Sequence, residues 1–160
     1  MVQERNGNIK HITLGIDPDS DKIGVATYNT ATKQVKTYSL KFFELYDTLL
    51  NLKEEINIVK IEAGWLNKKS NFHFVKSPRI AENIANKVGR NAEVGRKIVE
   101  MCIHLNIPYQ TIKPFGKIWK TKTGKISHNE LTILLNQKGL WIGKNKTNQD
   151  QRDAILIAII

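Results

Sequence analysis

Four acidic residues of this chain stand where a cluster of metal-binding carboxylates would be needed for phosphoryl-transfer chemistry. The first two end apolar runs that predict buried strands, and the last two, three residues apart, open the apolar segment Ala154–Ile160. That spacing puts the last pair on one face of the first helical turn. Carboxylates beside buried elements are costly unless a cation neutralises them. The four residues are Asp17, Glu62, Asp150 and Asp153.

Four converging carboxylates support two-metal hydrolysis of a phosphodiester. Hard Mg²⁺ prefers carboxylate oxygens, and Mn²⁺ accepts the same ligands. In such sites the two ions lie about 3.5–4 Å apart, where one prepares a water for in-line attack and the other stabilises the leaving oxygen. The sequence therefore predicts two Mg²⁺ ions held by these residues, with Mn²⁺ as an alternative.

Three of the four acidic residues also have a simpler interpretation. Asp17 precedes Pro18 and could belong to turn chemistry, Glu62 could pair with a lysine, and Asp150 could be only a helix cap. Asp153 is the strongest single case, because it begins an otherwise apolar helix and would be half-buried without a partner. The occurrence of all four in this order favours a common site.

The elements that must position the acids follow from apolar periodicity. Three strands joined by short turns predict an antiparallel meander, and a helix then leads to a fourth strand parallel to the first. The predicted bounds are Ile12–Asp17, Ile23–Tyr28 and Gln34–Lys41 for the meander, Phe42–Glu55 for the helix and Asn57–Glu62 for the fourth strand. Asp17 and Glu62 would then lie near the carboxyl ends of adjacent parallel strands.

The second half of the chain supplies the outer layers. We expect a long helix that is kinked or restarted near Gly89, and a later helix that Ser127 and Glu130 begin as a capping box and that ends near Gln137. The order is βββαβαβα followed by a last helix, an α/β mixed sheet of the ribonuclease H-like type with helices on both faces. Further predicted ranges are Ile80–Leu105 for the long helix, Pro108–Ile112 for a strand, Gly139–Asn148 for a loop and Thr147 or Asn148 as the cap of the last helix.

Composition sets the broad class. The 160 residues predict a single domain spanning 1–160 with a flexible lead-in at 1–10. The net charge of +10 favours a nucleic-acid partner, although surplus lysine also serves solubility. The single cysteine, Cys102, reads as a buried structural thiol and fits a reducing, cytoplasmic location. The sequence predicts no signal peptide and no membrane-spanning run, and without a Walker A motif it predicts no nucleotide cofactor.

Several segments resemble motifs of RuvC-type Holliday junction resolvases. They are Leu14–Ser20 with Gly24, Ile61–Glu62, Asn91–Arg96 and Asp150–Ala154. The resemblance covers the chain from about residue 12 to residue 160. It implies a homodimeric, Mg²⁺-dependent endonuclease that nicks two symmetry-related strands of a four-way DNA junction. The residues that match the catalytic carboxylates of that family are Asp17, Glu62, Asp150 and Asp153.

Trp65 and Asp19 bear on how far the resemblance extends. Trp65 follows Glu62 by three residues, where the family carries an aromatic side chain that wedges into the junction. Such a ring stacks on unpaired bases, but it could instead fill a core or dimer contact. Asp19 stands where the family usually has Gly. Asp tolerates left-handed backbone well enough to keep the turn, although the extra carboxylate could perturb metal binding.

Two basic segments are predicted to bind the DNA backbone. The segment Lys113–Lys125 carries five lysines and two aromatic residues beyond the last strand, where lysines would bind phosphates near the cut. Lys117 and Lys125 match the functional lysines of the family best. The alternative for Lys113–Lys125 is a solvated, flexible loop. The second basic segment lies around Lys68 and Lys69, and its alternative is a mobile lid. The predicted DNA-binding residues are Trp65, Lys68, Lys69, Lys113, Lys117, Lys120, Lys122 and Lys125.

Two other functions stay open at this point. The run Lys22–Ala26 also resembles YqgF-type relatives, which favours a ribonuclease H-like nuclease acting on RNA. A catalytically silent nucleic-acid-binding module would keep the fold without cutting. Such a module has no reason to retain buried like charges, which speaks against it.

Overall fold

A mixed sheet organises the chain. The computed structural model describes residues 9–67, 77–116, 118–143 and 146–160, and within them the sheet has six strands in the order β5-β4-β1-β2-β3-β6. The strands are β1 Ile12–Asp17, β2 Ile23–Asn29, β3 Gln34–Leu40, β4 Ile56–Glu62, β5 Tyr109–Ile112 and β6 Trp141–Ile142. The helices are α1 Phe42–Leu52, α2 Pro78–His104, α3 His128–Gln137 and α4 Gln149–Ile159.

The pairing of the strands is the predicted meander with parallel additions. Strands β1, β2 and β3 pair antiparallel in chain order. Strand β4 pairs in parallel with β1, β5 with β4, and β6 with β3. The α/β, ribonuclease H-like mixed sheet predicted from the sequence is therefore confirmed.

The alternation of side chains along β1 explains why both faces of the sheet are covered. Successive side chains of a strand point to opposite faces, so Leu14 and Ile16 share one face while Thr13 and Gly15 share the other. Leu14 and Ile16 are fully buried in a core built with α1 and α2. On the other face the backbone of α4 lies directly over Gly15. A strand buried on both faces accounts for the continuous apolar run of β1.

A second core lies on the α4 face of the sheet. It joins β2 and β3 to α3, α4 and the end of the basic loop, through buried residues such as Ala26, Leu135 and Ile155. Helix α3 begins at the predicted capping box. The Ser127 hydroxyl accepts from the Glu130 N–H at 3.2 Å, and the Glu130 carboxylate accepts from the Ser127 N–H at 2.9 Å.

Two parts of the predicted element order are wrong. The range Gly139–Asn148 is predicted as a loop, but it contains β6, whose two residues are too few to show any periodicity. The long helix is predicted to be kinked or restarted near Gly89, but α2 is one helix from Pro78 to His104, so the predicted restart is wrong. The Asn91 side chain accepts from the backbone N–H of Ser20 at 2.9 Å, so it does not compete for the backbone of its own helix.

The remaining predictions differ from the structure at element ends. Helix α1 ends at Leu52 and not at Glu55, because the Glu55 carbonyl already accepts from Ile12 N–H at 3.1 Å as β4 begins. Cys102 is buried, and burial raises its pKa to about 12, as expected of a structural thiol. Residues 1–8 of the predicted lead-in lie outside the described ranges. None of the described helices is long and apolar enough to cross a bilayer.

Replacing Gly15 with alanine is expected to lower the free energy of unfolding by about 3 kcal/mol. A Cβ at this position would overlap the carbonyl oxygen of Ala154 and lie 2.5 Å from the backbone nitrogen of Ala158. Urea denaturation measures the change. The matched control is Gly89→Ala in the exposed part of α2, where nothing lies within 4 Å of an added Cβ. Alanine there should stabilise by up to about 1 kcal/mol. Equal stabilities of the two variants would contradict close packing of α4 on β1.

Candidate active site

Asp17 and Glu62 are brought together by the register of the sheet. Ile16 and Ile61 are partners in the parallel β1–β4 pair, so the two acids follow side by side at the carboxyl ends of these strands. By the alternation of strand side chains, Asp17 shares its face with Gly15, which is the face that α4 covers. The predicted placement of these two acids on adjacent parallel strands is confirmed.

Helix α4 brings the other two acids over this edge. Asn148 caps the start of the helix, and its side-chain oxygen accepts from Gln151 N–H at 2.8 Å. It approaches β2 so closely that a Cβ on Gly24 would lie 2.6 Å from the carbonyl carbon of Asp150. Asp150 lies in the first turn as predicted, but Asp153 belongs to the second turn. The prediction that both acids lie in the first turn is therefore wrong for Asp153.

The acids form one electrostatic cluster. Burial raises the pKa of Asp17 to about 8, with repulsion from Glu62, Asp153 and Asp150 adding to the effect. Burial and the charge of Asp153 likewise raise the pKa of Glu62, and burial is also the largest cause of the raised pKa of Asp150. Among the described residues, none donates a hydrogen bond to Asp17 or Glu62. The charged forms of these two carboxyl groups are therefore poorly stabilised by the described protein groups.

Among the described residues, Lys125 supplies the positive charge nearest the cluster. Its Nζ lies 2.9 Å from Oδ2 of Asp153, whose Oδ1 accepts from Gln149 Nε2 at 2.7 Å. Burial lowers the pKa of Lys125, but the hydrogen bond to Asp153 and the charges of Asp17 and Glu62 outweigh it, so the pKa is raised overall. The lysine is charged and partly neutralises the acids.

The carboxylates of the cluster are the right kind of ligand for a hard divalent cation, but their present positions are not those of a metal site. Carboxylate oxygens are the ligands that Mg²⁺ prefers, and a cation would relieve the repulsion around Asp17. In the part of the chain that the structure describes, no group of three or more His, Cys, Asp or Glu side chains is arranged to hold a metal ion. Asp153 is instead engaged by Lys125 and Gln149, and it would have to leave them to become a ligand.

Two adjoining cavities open onto the acidic cluster. Their volumes are about 410 and about 470 Å³, and Asp17, Glu62 and Lys125 line both. The first cavity extends toward α2 and the second toward the basic loop that follows β5. The acids are thus reachable from solution between two positively charged segments.

Trp65 lines the first cavity but is held against α2. It lies in a single 3₁₀ turn, Gly64–Leu66, directly after β4. Its ring packs so closely on Gly95 that an added Cβ there would lie 2.9 Å from Cη2, and the Arg96 guanidinium stands 5.6 Å from the ring centroid. The ring is half-buried and already stacked, so insertion into a junction would require it to leave Gly95.

The predicted DNA-binding lysines fall into three groups. Lys125 belongs to the acidic cluster. Lys113, Lys120 and Lys122 are exposed on the loop between β5 and α3. The lysines that lie outside the described residues are Lys68, Lys69 and Lys117.

The polar contacts around the Asp19 carboxylate were not predicted from the sequence. Asn91 Nδ2 donates to the Asp19 carboxylate at 3.2 Å, and Lys87 Nζ lies 3.5 Å from it. Burial would raise the pKa of Asp19, but the hydrogen bonds from Asp21 and Asn91 and the charge of Lys87 outweigh it, so the pKa is lowered overall. Among described non-glycine residues, only Lys33 and Asn106 have positive φ, so Asp19 needs no left-handed backbone. The four-residue spacing of Lys87 and Asn91 on one helix face was the available signal.

Comparison with known proteins identifies the fold. No family model and no curated protein sequence matches the chain. T. thermophilus RuvC in complex with a Holliday junction substrate is similar in structure, with a TM-score of 0.55 and 14% identity over 93% of this chain and 90% of that one. A further Thermus thermophilus RuvC structure gives 0.47 and 15% over 92% and 90%. The yeast mitochondrial Holliday junction resolvase Ydc2 gives 0.42 and 12% over 93% and 78%. The first of these likenesses supports the ribonuclease H-like fold.

Asp17→Asn is expected to stabilise the metal-free protein at neutral and alkaline pH. Because the folded-state pKa of about 8 lies above the ordinary value of 3.8, the folded state holds a proton that the unfolded chain has lost, and stability falls as pH rises between these values. In EDTA at pH 8 the variant should melt roughly 3 °C or more above the parent, and at pH 4 the two should coincide. The control is Asp47→Asn on the exposed side of α1. A lower melting temperature for Asp17→Asn at pH 8 would refute the buried anionic cluster.

Proposed function

We propose that the chain is a Mg²⁺-dependent, structure-selective endonuclease that resolves four-way DNA junctions by paired symmetric nicks. The observation that carries the proposal is the cluster that Asp17 and Glu62, at the carboxyl ends of β1 and β4, form with Asp150 and Asp153 of α4, in a fold similar to that of RuvC. The net charge of +10 suits a nucleic-acid substrate. A cytoplasmic location fits a chain whose one cysteine is a buried free thiol.

The four acids are the residues that would hold two Mg²⁺ ions, or Mn²⁺ in their place. Bound metal ions would polarise the scissile phosphate and lower the pKa of an attacking water. The raised pKa values of Asp17 and Glu62 support this assignment, since Lys125 offsets their charge only in part and both carboxylates would gain from a divalent cation. Asp153 would exchange Lys125 for the metal.

Lys125 has a role of its own in this proposal. A lysine released from Asp153 would stay at the mouth of both cavities, where its ammonium can bind a non-bridging phosphate oxygen. Lys113, Lys120 and Lys122 would bind flanking phosphates from the same loop. Trp65 would contact unpaired bases at the first cavity.

The second active site needed for paired nicks would come from a second copy of the chain. One acidic cluster is present in the described residues, whereas a four-way junction presents two equivalent strands. The first turns of α2 expose Ile80, Ile84 and Val88 at 51%, 47% and 53%. Their four-residue spacing makes one apolar stripe along the helix, which a second copy would cover in a two-fold contact.

Cleavage of a labelled mobile four-way junction in Mg²⁺ tests the activity. Symmetric nicks are expected on the junction alone, with linear duplex, single strands and structured RNA uncut. Asp17→Asn and Asp153→Asn should each lower the cutting rate at least about a hundredfold while junction binding persists, because partners that merely orient a metal ligand are already worth about 10- to 100-fold. Asp47→Asn should cut normally. Cutting of structured RNA only would favour the RNA nuclease, and binding without cutting would favour the silent module.

Ile84→Glu should convert the protein to monomers, since a charge in the middle of the apolar stripe would be buried in the contact. Sedimentation velocity measures the change, and junction cleavage should shift from paired nicks to single nicks. The control is Ile133→Glu on α3, where the side chain is 58% exposed on a different element. Dimers that persist in Ile84→Glu would exclude this stripe as the contact.

A further inference from the structure

Arg152 lies between two of the acids in sequence, yet its side chain binds neither. Among the described residues it forms no ion pair with Asp150 or Asp153. Its three guanidinium nitrogens each donate to an oxygen of a different residue. Nε donates to the carbonyl of Ile126 at 2.8 Å, Nη2 to Gln149 Oε1 at 3.0 Å, and Nη1 to the carbonyl of Thr147.

The bond to Gln149 fixes the hydrogen-bond direction at Asp153. A guanidinium can only donate, so the Gln149 group facing Arg152 is its carbonyl oxygen, and its NH₂ is left to face Asp153. Gln149 Nε2 accordingly donates to Asp153 Oδ1 at 2.7 Å. Without Arg152 the Gln149 amide could turn over, and its oxygen would then face a carboxylate.

The bond to Ile126 fixes the other partner of Asp153. Ile126 directly follows Lys125, and its side chain is 1% exposed in the second core. Lys125 donates from Nζ to Asp153 Oδ2 at 2.9 Å. Arg152 therefore holds both oxygens of this carboxylate indirectly, one through Gln149 and the other through the end of the basic loop.

We infer that Arg152 is a positioning residue that sets the orientation of Asp153 and the place of Lys125 relative to the acids of the sheet. Strand pairing already places the backbone of Asp17 and Glu62 side by side. Asp153 and Lys125 come from a helix and an irregular segment, and the planar fork of arginine ties these together through three bonds. A lysine has the charge but not the fork. The inference rests on the proposed nuclease activity of the same site.

A double-mutant cycle of Arg152→Lys and Gln149→Met on the full chain tests the relay. Each variant should lower the single-turnover cutting rate of the junction about tenfold, with junction affinity in Ca²⁺ and melting temperature close to those of the parent. The double variant should cut no more slowly than Arg152→Lys, because both changes break one chain of bonds. Arg90→Lys, at an exposed position of α2, should match the parent. Losses that multiply, or an Arg152→Lys protein with the parent rate, would overturn the inference.

A second readout does not depend on cutting. The Gln149 side-chain NH₂ signals, identified in ¹⁵N spectra by their absence in Gln149→Met, should be displaced from those of a free glutamine in the parent and return toward them in Arg152→Lys. Unchanged signals in Arg152→Lys would overturn the positioning role. If the parent cuts no nucleic acid while these signals respond as expected, the nuclease proposal fails and the Arg152 relay stands.

Discussion

Burying like charges at one edge of a sheet is unfavourable, and much of this structure serves to keep such a cluster in place. Asp17 and Glu62 lose hydration at the ends of buried strands and repel each other. They persist because the β1–β4 register does not depend on their side chains. Function-bearing sites commonly carry a stability cost that the surrounding core offsets. Here that core is the apolar packing of β1 on both of its faces.

The acids of the site are held by two different kinds of support. Those of β1 and β4 are fixed by backbone hydrogen bonds between strands. Helix α4 is held by close packing over Gly15 and Gly24, and the Asp153 side chain is also held by bonds through Arg152 and Gln149. Backbone pairing leaves little room for movement, whereas side-chain bonds can exchange partners. In the proposed nuclease, the half of the site built on α4 would therefore be the half that adjusts to substrate and metal.

The features that sequence reasoning found are those encoded locally. The apolar run before Asp17, the capping box of Ser127 and the three-residue spacing before Ala154 each occupy a few consecutive residues. The features that it missed depend on contacts between distant segments. The bond from Asn91 to Asp19 spans 72 residues, and β6 exists only through its pairing with β3. In the sequence, Arg152 is visible only as part of the Asp150–Ala154 motif. Its partners, the carbonyls of Ile126 and Thr147, are determined by the fold.

Because α2 is one uninterrupted helix, a force on its first turns is carried to the turns that contact the rest of the molecule. Its first thirteen residues, 78–90, span about 20 Å and are almost wholly exposed. Among the described residues, Lys87 Nζ lies 3.5 Å from the Asp19 carboxylate, and closer contacts begin where Asn91 binds the turn after β1 and where Gly95 meets the Trp65 ring. A force on the exposed end of α2 would therefore turn the helix about these contacts. Trp65 and the Asp19 turn lie at the contacts themselves. A contact made far from the acids could in this way exert torque on the wall of their cavity.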